Sequence, residues 1–127
     1  MRMTTQIQLS IQQIADRLVE LCRQGRFEMA QKELYADNLF SIELHDNPIN
    51  KKKLKSLQSI IEKGKRLEEM IEEVHEFTVS DPIVVGNCIV FEMSYDLTMK
   101  DQNRLNWKEL CVYRVKNGKI MYEQFFN

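Results

Sequence analysis

The stretch LNWKELCVYRVKNGKIMYEQFF, residues 105–126, decides the fold class. Two runs rich in Val, Ile, Tyr, Phe and Met flank Asn117-Gly118. An Asn-Gly pair marks a two-residue hairpin turn, because both central positions need positive φ. Residues 105–116 and 119–126 are therefore read as antiparallel strands. Side chains alternate between the two faces of a strand. One face of the first strand carries Trp107, Glu109, Cys111, Tyr113 and Val115; the other carries Lys108, Leu110, Val112 and Arg114. If Lys116 pairs with Lys119, Tyr113 stands opposite Tyr122 and Cys111 opposite Gln124. That register adds Ile120, Tyr122, Gln124 and Phe126 to the first face, and Met121, Glu123 and Phe125 to the second.

Upstream, residues 88–99 read as a further strand joined by the polar connection 100–104. Its pairing brings Phe91, Met93, Tyr95 and Leu97 to the first face. Residues 77–85 read as another strand, with Gly86-Asn87 as a weaker turn and Asp81-Pro82 as a bulge. Before residue 77 the apolar spacing is helical. Ile7, Ile11, Ile14, Ala15, Leu18, Leu21 and Cys22 form a stripe that Gly25 ends, and residues 27–34 form a second, shorter helix. Residues 35–38 turn the chain into a strand at 39–44, and the Pro48-containing segment 45–50 is a loop. The helical period returns over 52–73, with Gly64 breaking or kinking it. Helices followed by an antiparallel meander make an α+β domain.

The chain has 127 residues, 43% hydrophobic and 29% charged, with a formal net charge of −1. That is the size and composition of one globular domain, and the charge balance attracts neither nucleic acid nor an anionic membrane. Three widely spaced cysteines, Cys22, Cys88 and Cys111, point away from a disulfide framework and towards a reducing cytoplasm. No Cys-x-x-Cys or His-x-x-x-His spacing suggests zinc. No apolar run is long enough to span a bilayer. The expectation is a soluble, cytoplasmic protein.

Leu34-Tyr35-Ala36-Asp37-Asn38 leading into a strand, Gly64-Lys65, and the run from Val112 through Asn117-Gly118 to Ile120 resemble the SnoaL-like domains. These belong to the nuclear transport factor 2-like superfamily, with ketosteroid isomerases and polyketide cyclases. The resemblance spans the chain as a single domain, residues 1–127. It implies N-terminal helices packed on a strongly curved antiparallel sheet, forming a cone with a pocket at its open end. It also implies a homodimer through the outer sheet face, in keeping with the apolar Leu110 and Val112 there. In the isomerases the general base lies eight residues after the Tyr of a Tyr-Ala-Asp segment, which reaches Glu43. Their second, protonated carboxylic acid falls near Cys111, where this chain has no carboxylate; Glu109 stands one residue pair away on the same face.

The candidate catalytic residues are thus Glu43 and Glu109, because a partly desolvated carboxylate can take a proton next to a carbonyl. Glu109 stands out because a core needs no carboxylate and burying one is costly. Tyr95, Trp107, Cys111, Tyr113, Tyr122 and Gln124 share its face and are the candidate ligand contacts. His75, where a helix passes into a strand, reads as a structural histidine, and His45 as an exposed loop residue. Two functions stay open. One is an acid–base enzyme of the isomerase or cyclase type, acting on a cyclic or carbonyl-containing molecule with no metal or organic cofactor. The other is a non-catalytic module for ligand binding or dimerisation. The expected partner is a small apolar or carbonyl-containing molecule.

Overall fold

The computed structural model describes residues 9–42 and 53–127. Helix α1 (Ile11–Arg23) starts on a capping box. The Ser10 hydroxyl accepts from the Gln13 N–H at 3.1 Å, and Gln13 Oε1 accepts from the Ser10 N–H at 2.8 Å. The helix ends as expected at Gly25, whose φ is 74°. That left-handed conformation lets Gly25 and Arg26 donate back to the carbonyls of Cys22 and Leu21. Helix α2 (Phe27–Leu34) follows directly. Strand β1 (Tyr35–Ile42) then begins at Tyr35, so the residues expected to form a turn already belong to the sheet. The strand β2 (Lys53–Leu54) pairs with β1. The expected loop 45–50 and residues 43 and 44 lie outside the described residues.

Helix α3 (Leu57–Glu69) is capped by the Ser56 hydroxyl, which accepts from the Ser59 N–H. It runs unbroken through Gly64, against the expected kink. The helical period over 70–73 is also corrected: β3 (Ile71–Val79) starts there. The reason is visible in its pairing with β5 (Cys88–Met99), where Ile71, Val74, Phe77 and Val79 face Met99, Leu97, Tyr95 and Met93. Two register shifts, after Ile71 and after Val74, each insert an extra residue. They space the inward side chains by three instead of two, which imitates a helix. The expected strand 77–85 is two pieces, since Asp81-Pro82 separates β3 from β4 (Ile83–Val85), and both pair with β5.

Strands β6 (Arg104–Lys116) and β7 (Lys119–Phe126) complete the sheet in the order β2-β1-β7-β6-β5-β3, with β4 also on β5. The sheet is mixed, not wholly antiparallel, because β1 runs parallel to β7. It is curled but open, with β2 and β3 at its edges. The turn at Asn117 (φ 52°) and Gly118 (φ 76°) is the expected hairpin, and Lys116 pairs with Lys119. One step further the register departs from expectation. A bulge at Met121 makes Arg114 face Tyr122, Tyr113 face Glu123 and Cys111 face Phe125. A slip of one residue moves every later side chain to the other face. Glu123 and Phe125 therefore point inward, and Tyr122, Gln124 and Phe126 outward.

The inner face of the sheet packs on the three helices. Ile14, Leu18 and Leu21 of α1, Ile60 of α3, and Leu39, Ile89 and Ile120 of the sheet are at most 1% exposed. Aromatic rings run across this face. Phe27, Phe77, Tyr95 and Trp107 make successive contacts with centroids 5.7, 5.1 and 4.9 Å apart. Tyr113 stacks on Phe91 at 5.3 Å and meets Tyr35 and Phe125 edge-on.

Candidate functional site

The helices do not cover the whole inner face. Between α2, α3 and strands β3, β5, β6 and β7 lies a cavity of about 1090 Å³. Its apolar lining comes from Phe27, Ile60, Leu67, Val74, Phe77, Met93, Leu97 and Phe125. Polar groups interrupt it on the sheet side, Glu109 with Tyr95, Glu123 with Tyr35, and the indole of Trp107, and on α3 Lys63, while Arg26, Glu28, Lys65 and Glu68 are among the charged residues that also line it. A concave site that joins apolar walls with converging polar groups is the usual make-up of a small-molecule site. A smaller hollow of about 380 Å³ between α1 and the Asp81-Pro82 turn has its charges engaged, since Arg23 bonds Asp81 at 2.8 Å.

Glu109 reaches the cavity from the middle of β6, and the Tyr95 hydroxyl donates to its Oε1 at 3.2 Å. Tyr95 is two strand positions from being directly opposite Glu109, since its register partner is Trp107. Burial, then the charge of Glu109, holds the Tyr95 phenol far above its usual pKa. It is therefore a donor and not a base. Arg104, at the start of β6, binds Asp96 through two bonds of 2.6 and 3.0 Å.

Glu123 is only 2% exposed, faces Tyr113 on β6 and Ser41 on β1, and accepts from the Tyr35 hydroxyl. Burial and then the charge of Glu123 raise the Tyr35 phenol, which is also a neutral donor. Lys63 is buried on the inward side of α3. Its Nζ lies 5.5 Å from the Phe125 ring centroid, within reach of the ring's negative face. Cys22 is buried at the edge of the cavity, and Cys111 sits behind its wall. Burial and then Glu123 push the Cys22 thiol up to about 12, and burial, then Glu109, raises Cys111.

Of the residues singled out in the sequence, Glu109, Tyr95, Trp107 and Tyr113 line the cavity together. Cys111 faces inward but is fully buried and does not line it. Tyr122 and Gln124 are corrected: the Met121 bulge turns both to the outer face, where the Tyr122 hydroxyl bonds Gln124 and Arg114 lies over the Tyr122 ring at 5.7 Å. Glu43, like His45, lies outside the described residues. His75 occupies the second bulge of β3, bonds Thr98 at 2.6 Å and Glu73 at 3.1 Å, and does not line the cavity. The sequence reading missed Glu123, Tyr35 and Lys63. Nothing in the apolar pattern of β7 distinguishes its faces, because both alternating sets contain large apolar residues.

Among the described residues no three His, Cys, Asp or Glu side chains converge as metal ligands, and no helix is long and apolar enough to cross a membrane. Residues 9–127 match the SnoaL-like domain family. No curated protein sequence matches the chain. Among solved structures, one from Mesorhizobium loti is 30% identical, with a TM-score of 0.86 over 94% of this chain and 100% of that one. Its description couples a SnoaL-like polyketide cyclase with carbohydrate phosphatase, so the name does not settle a chemistry. A nuclear transport factor 2-like protein of Burkholderia thailandensis (18% identity, TM-score 0.79, 93% of this chain and 90% of that one) shares the fold. So does a cystatin-like protein of unknown function from Xanthomonas campestris (11%, 0.77, 93% and 90%). With the curled sheet, the helices over it and the family match along nearly its whole length, this chain belongs to the SnoaL-like domain family.

Proposed function

We propose that the cavity binds a small cyclic or carbonyl-containing molecule and that Glu109 is its acid–base group. The observation that carries this reading is the pairing of Glu109 with the Tyr95 phenol at the wall of an apolar cavity. Carboxylate, neutral phenol and low polarity together suit proton transfer next to a carbonyl. The C–H bond α to the carbonyl breaks, its proton passes to Glu109, and its electron pair moves onto the carbonyl oxygen as an enolate. The Tyr95 hydroxyl has one proton, so its hydrogen bond shifts from Glu109, neutralised as it takes the substrate proton, to that oxygen as charge develops. Where a β,γ double bond makes the enolate a dienolate, returning the proton from Glu109 to its γ carbon shifts the double bond into conjugation and completes an isomerisation. These steps call on no metal or organic cofactor.

Exchange of the C1 protons of 2-tetralone in D2O, followed by NMR, tests the idea. The wild type should accelerate the exchange, and Glu109→Gln should lower that acceleration by about 10² or more. Equal exchange by both proteins would remove Glu109 from the chemistry. Binding of the ketone without any exchange would favour a non-catalytic ligand-binding module.

The same reading includes a homodimer through the outer sheet face. Leu110 and Phe126 are directly paired there and are 44% and 39% exposed. Leu110→Lys should shift the protein to a monomer in sedimentation velocity; an unchanged species would exclude this face. The thiols of Cys22, Cys88 and Cys111 are free, and they suit a reducing compartment such as the cytoplasm.

A further inference from the structure

Helix α3 carries a glycine that the fold itself does not require. Gly64 lies one turn after the buried Ile60 and Ile61 and one turn before Leu67, at the middle of the inward face. Its backbone is helical, so no left-handed conformation calls for glycine. Nor does close packing: a methyl group there would meet nothing within 4 Å beyond its own helix backbone and adjacent residues. In a helix interior glycine is less favourable than alanine, because it loses more backbone freedom on folding. Gly64 does line the cavity, on the helix wall that it shares with Ile60 and Leu67. Its missing side chain deepens the cavity on that wall, while Glu109 and Tyr95 enter from the sheet. The charged neighbours are engaged elsewhere: Lys63 lies over the Phe125 ring, and Lys65 pairs with Glu28 at 3.7 Å. The backbone of the turn is already hydrogen-bonded within the helix, so it offers an occupant apolar contact.

We propose that Gly64 is a specificity-determining residue: the space left by its side chain takes the apolar end of the ligand, which lies on the bare turn of α3 while the carbonyl end meets Glu109 and Tyr95. This rests on the reading of the cavity as the site of a carbonyl-containing molecule. The fold would be steadier with alanine at this position, and what alanine would remove is room for the ligand. Burial of each further methylene strengthens binding, so that room selects ring ketones with a long apolar end over short ones.

The chain has a single tryptophan, Trp107, and it lines the cavity, so its fluorescence reports occupancy. The probes are 4-methylcyclohexanone and 4-cyclohexylcyclohexanone, which share a ketone end and differ in apolar length. The wild type should bind the long ketone at least about tenfold tighter than the short one. Gly64→Leu should lower that preference at least about fivefold and Gly64→Ala about twofold, with the short ketone bound within about twofold by all three proteins. Gly64→Ala should also melt about 4 °C above the wild type. Near-UV circular dichroism checks that Gly64→Leu folds, and Gly64→Ala carries the test if it does not. A lower melting point for Gly64→Ala shows that the fold needs glycine there and overturns the proposal. So does an unchanged preference in both variants, or equal weakening of the two ketones. No change in Trp107 emission with either ketone in the wild type overturns the proposal together with the ketone site itself. Binding and melting are read without proton exchange, so failure at Glu109 and failure at Gly64 are distinguishable.

Discussion

The bond between Tyr35 and Glu123 ties β1 to β7 inside the protein, at 6% and 2% exposure, and its energetics can be isolated. Tyr35→Phe removes a hydrogen bond to a charged group and leaves the carboxylate buried without that donor, at a cost of about 2 kcal/mol. Glu123→Leu removes the acceptor and leaves the phenol hydroxyl buried, again about 2 kcal/mol. The double variant removes both groups of the bond, so it should cost less than the sum of the two single changes by the worth of that bond. The coupling energy is then on the order of 2–3 kcal/mol. For a chain of this length the unfolding entropy is about 270 cal/mol/K, so each single variant should melt about 7 °C lower. Calorimetry on the wild type, the two singles and the double measures the cycle. If the two losses simply add in the double variant, the groups do not depend on one another. The assignment of Tyr35 as the group that holds Glu123 is then wrong.

Three further outcomes follow from other parts of the molecule. With the Cys22 thiol near 12, its thiolate fraction at pH 8 is about 10⁻⁴, against about a quarter for an ordinary cysteine. Iodoacetamide followed by mass spectrometry should therefore modify the half-buried Cys88 in the folded protein, and Cys22 and Cys111 only in urea. Arg17 grips Glu33 of α2 through bonds of 2.7 and 3.0 Å, and that bond is the main cause holding the Glu33 carboxyl below its usual range. A depressed folded-state value gives stability that is present above the unfolded carboxylate's pKa and lost as pH falls through the folded one. Urea midpoints of wild type and Arg17→Gln should accordingly differ at neutral pH and converge as the pH falls below the ordinary carboxylate range. Ser10→Ala removes the capping box of α1. It should cost about 1 kcal/mol, seen as a melting point about 4 °C lower.

Much of the architecture was legible because its signals are local. Asn117-Gly118 can take the two positive φ angles that few other pairs tolerate, and the turn formed where it was expected. Gly25 ends α1 for the same reason. Alternation along β5 and β6 correctly put Phe91, Met93, Tyr95, Trp107 and Glu109 on one face, since that pair runs without a shift from Cys88–Arg114 to Thr98–Arg104. Gly64 misled because a glycine's helical cost of about 1 kcal/mol is outweighed by the neighbouring Ile60, Ile61 and Lys63, all buried by contacts remote in sequence.

The misread strand and strand face share one physical origin. A bulge residue is left unpaired, so its identity is weakly constrained, while its effect on every later side chain is complete. In β3 two bulges disguised a strand as a helix. In β7 the bulge at Met121 hid Glu123 on the face assigned to a dimer contact and placed Tyr122 and Gln124 in a site they do not enter. The β6–β7 turn alone cannot foresee that shift, because β7 is held on its other side by β1. There Phe40, Ser41 and Ile42 pair in parallel with Tyr122, Glu123 and Gln124, and β1 carries its own register shift between Tyr35 and Phe40. Bulges also bend the strands that carry them and increase their twist. The features that defeat a reading by alternation are thus the ones that bend the sheet around the cavity and turn its second carboxylate inward.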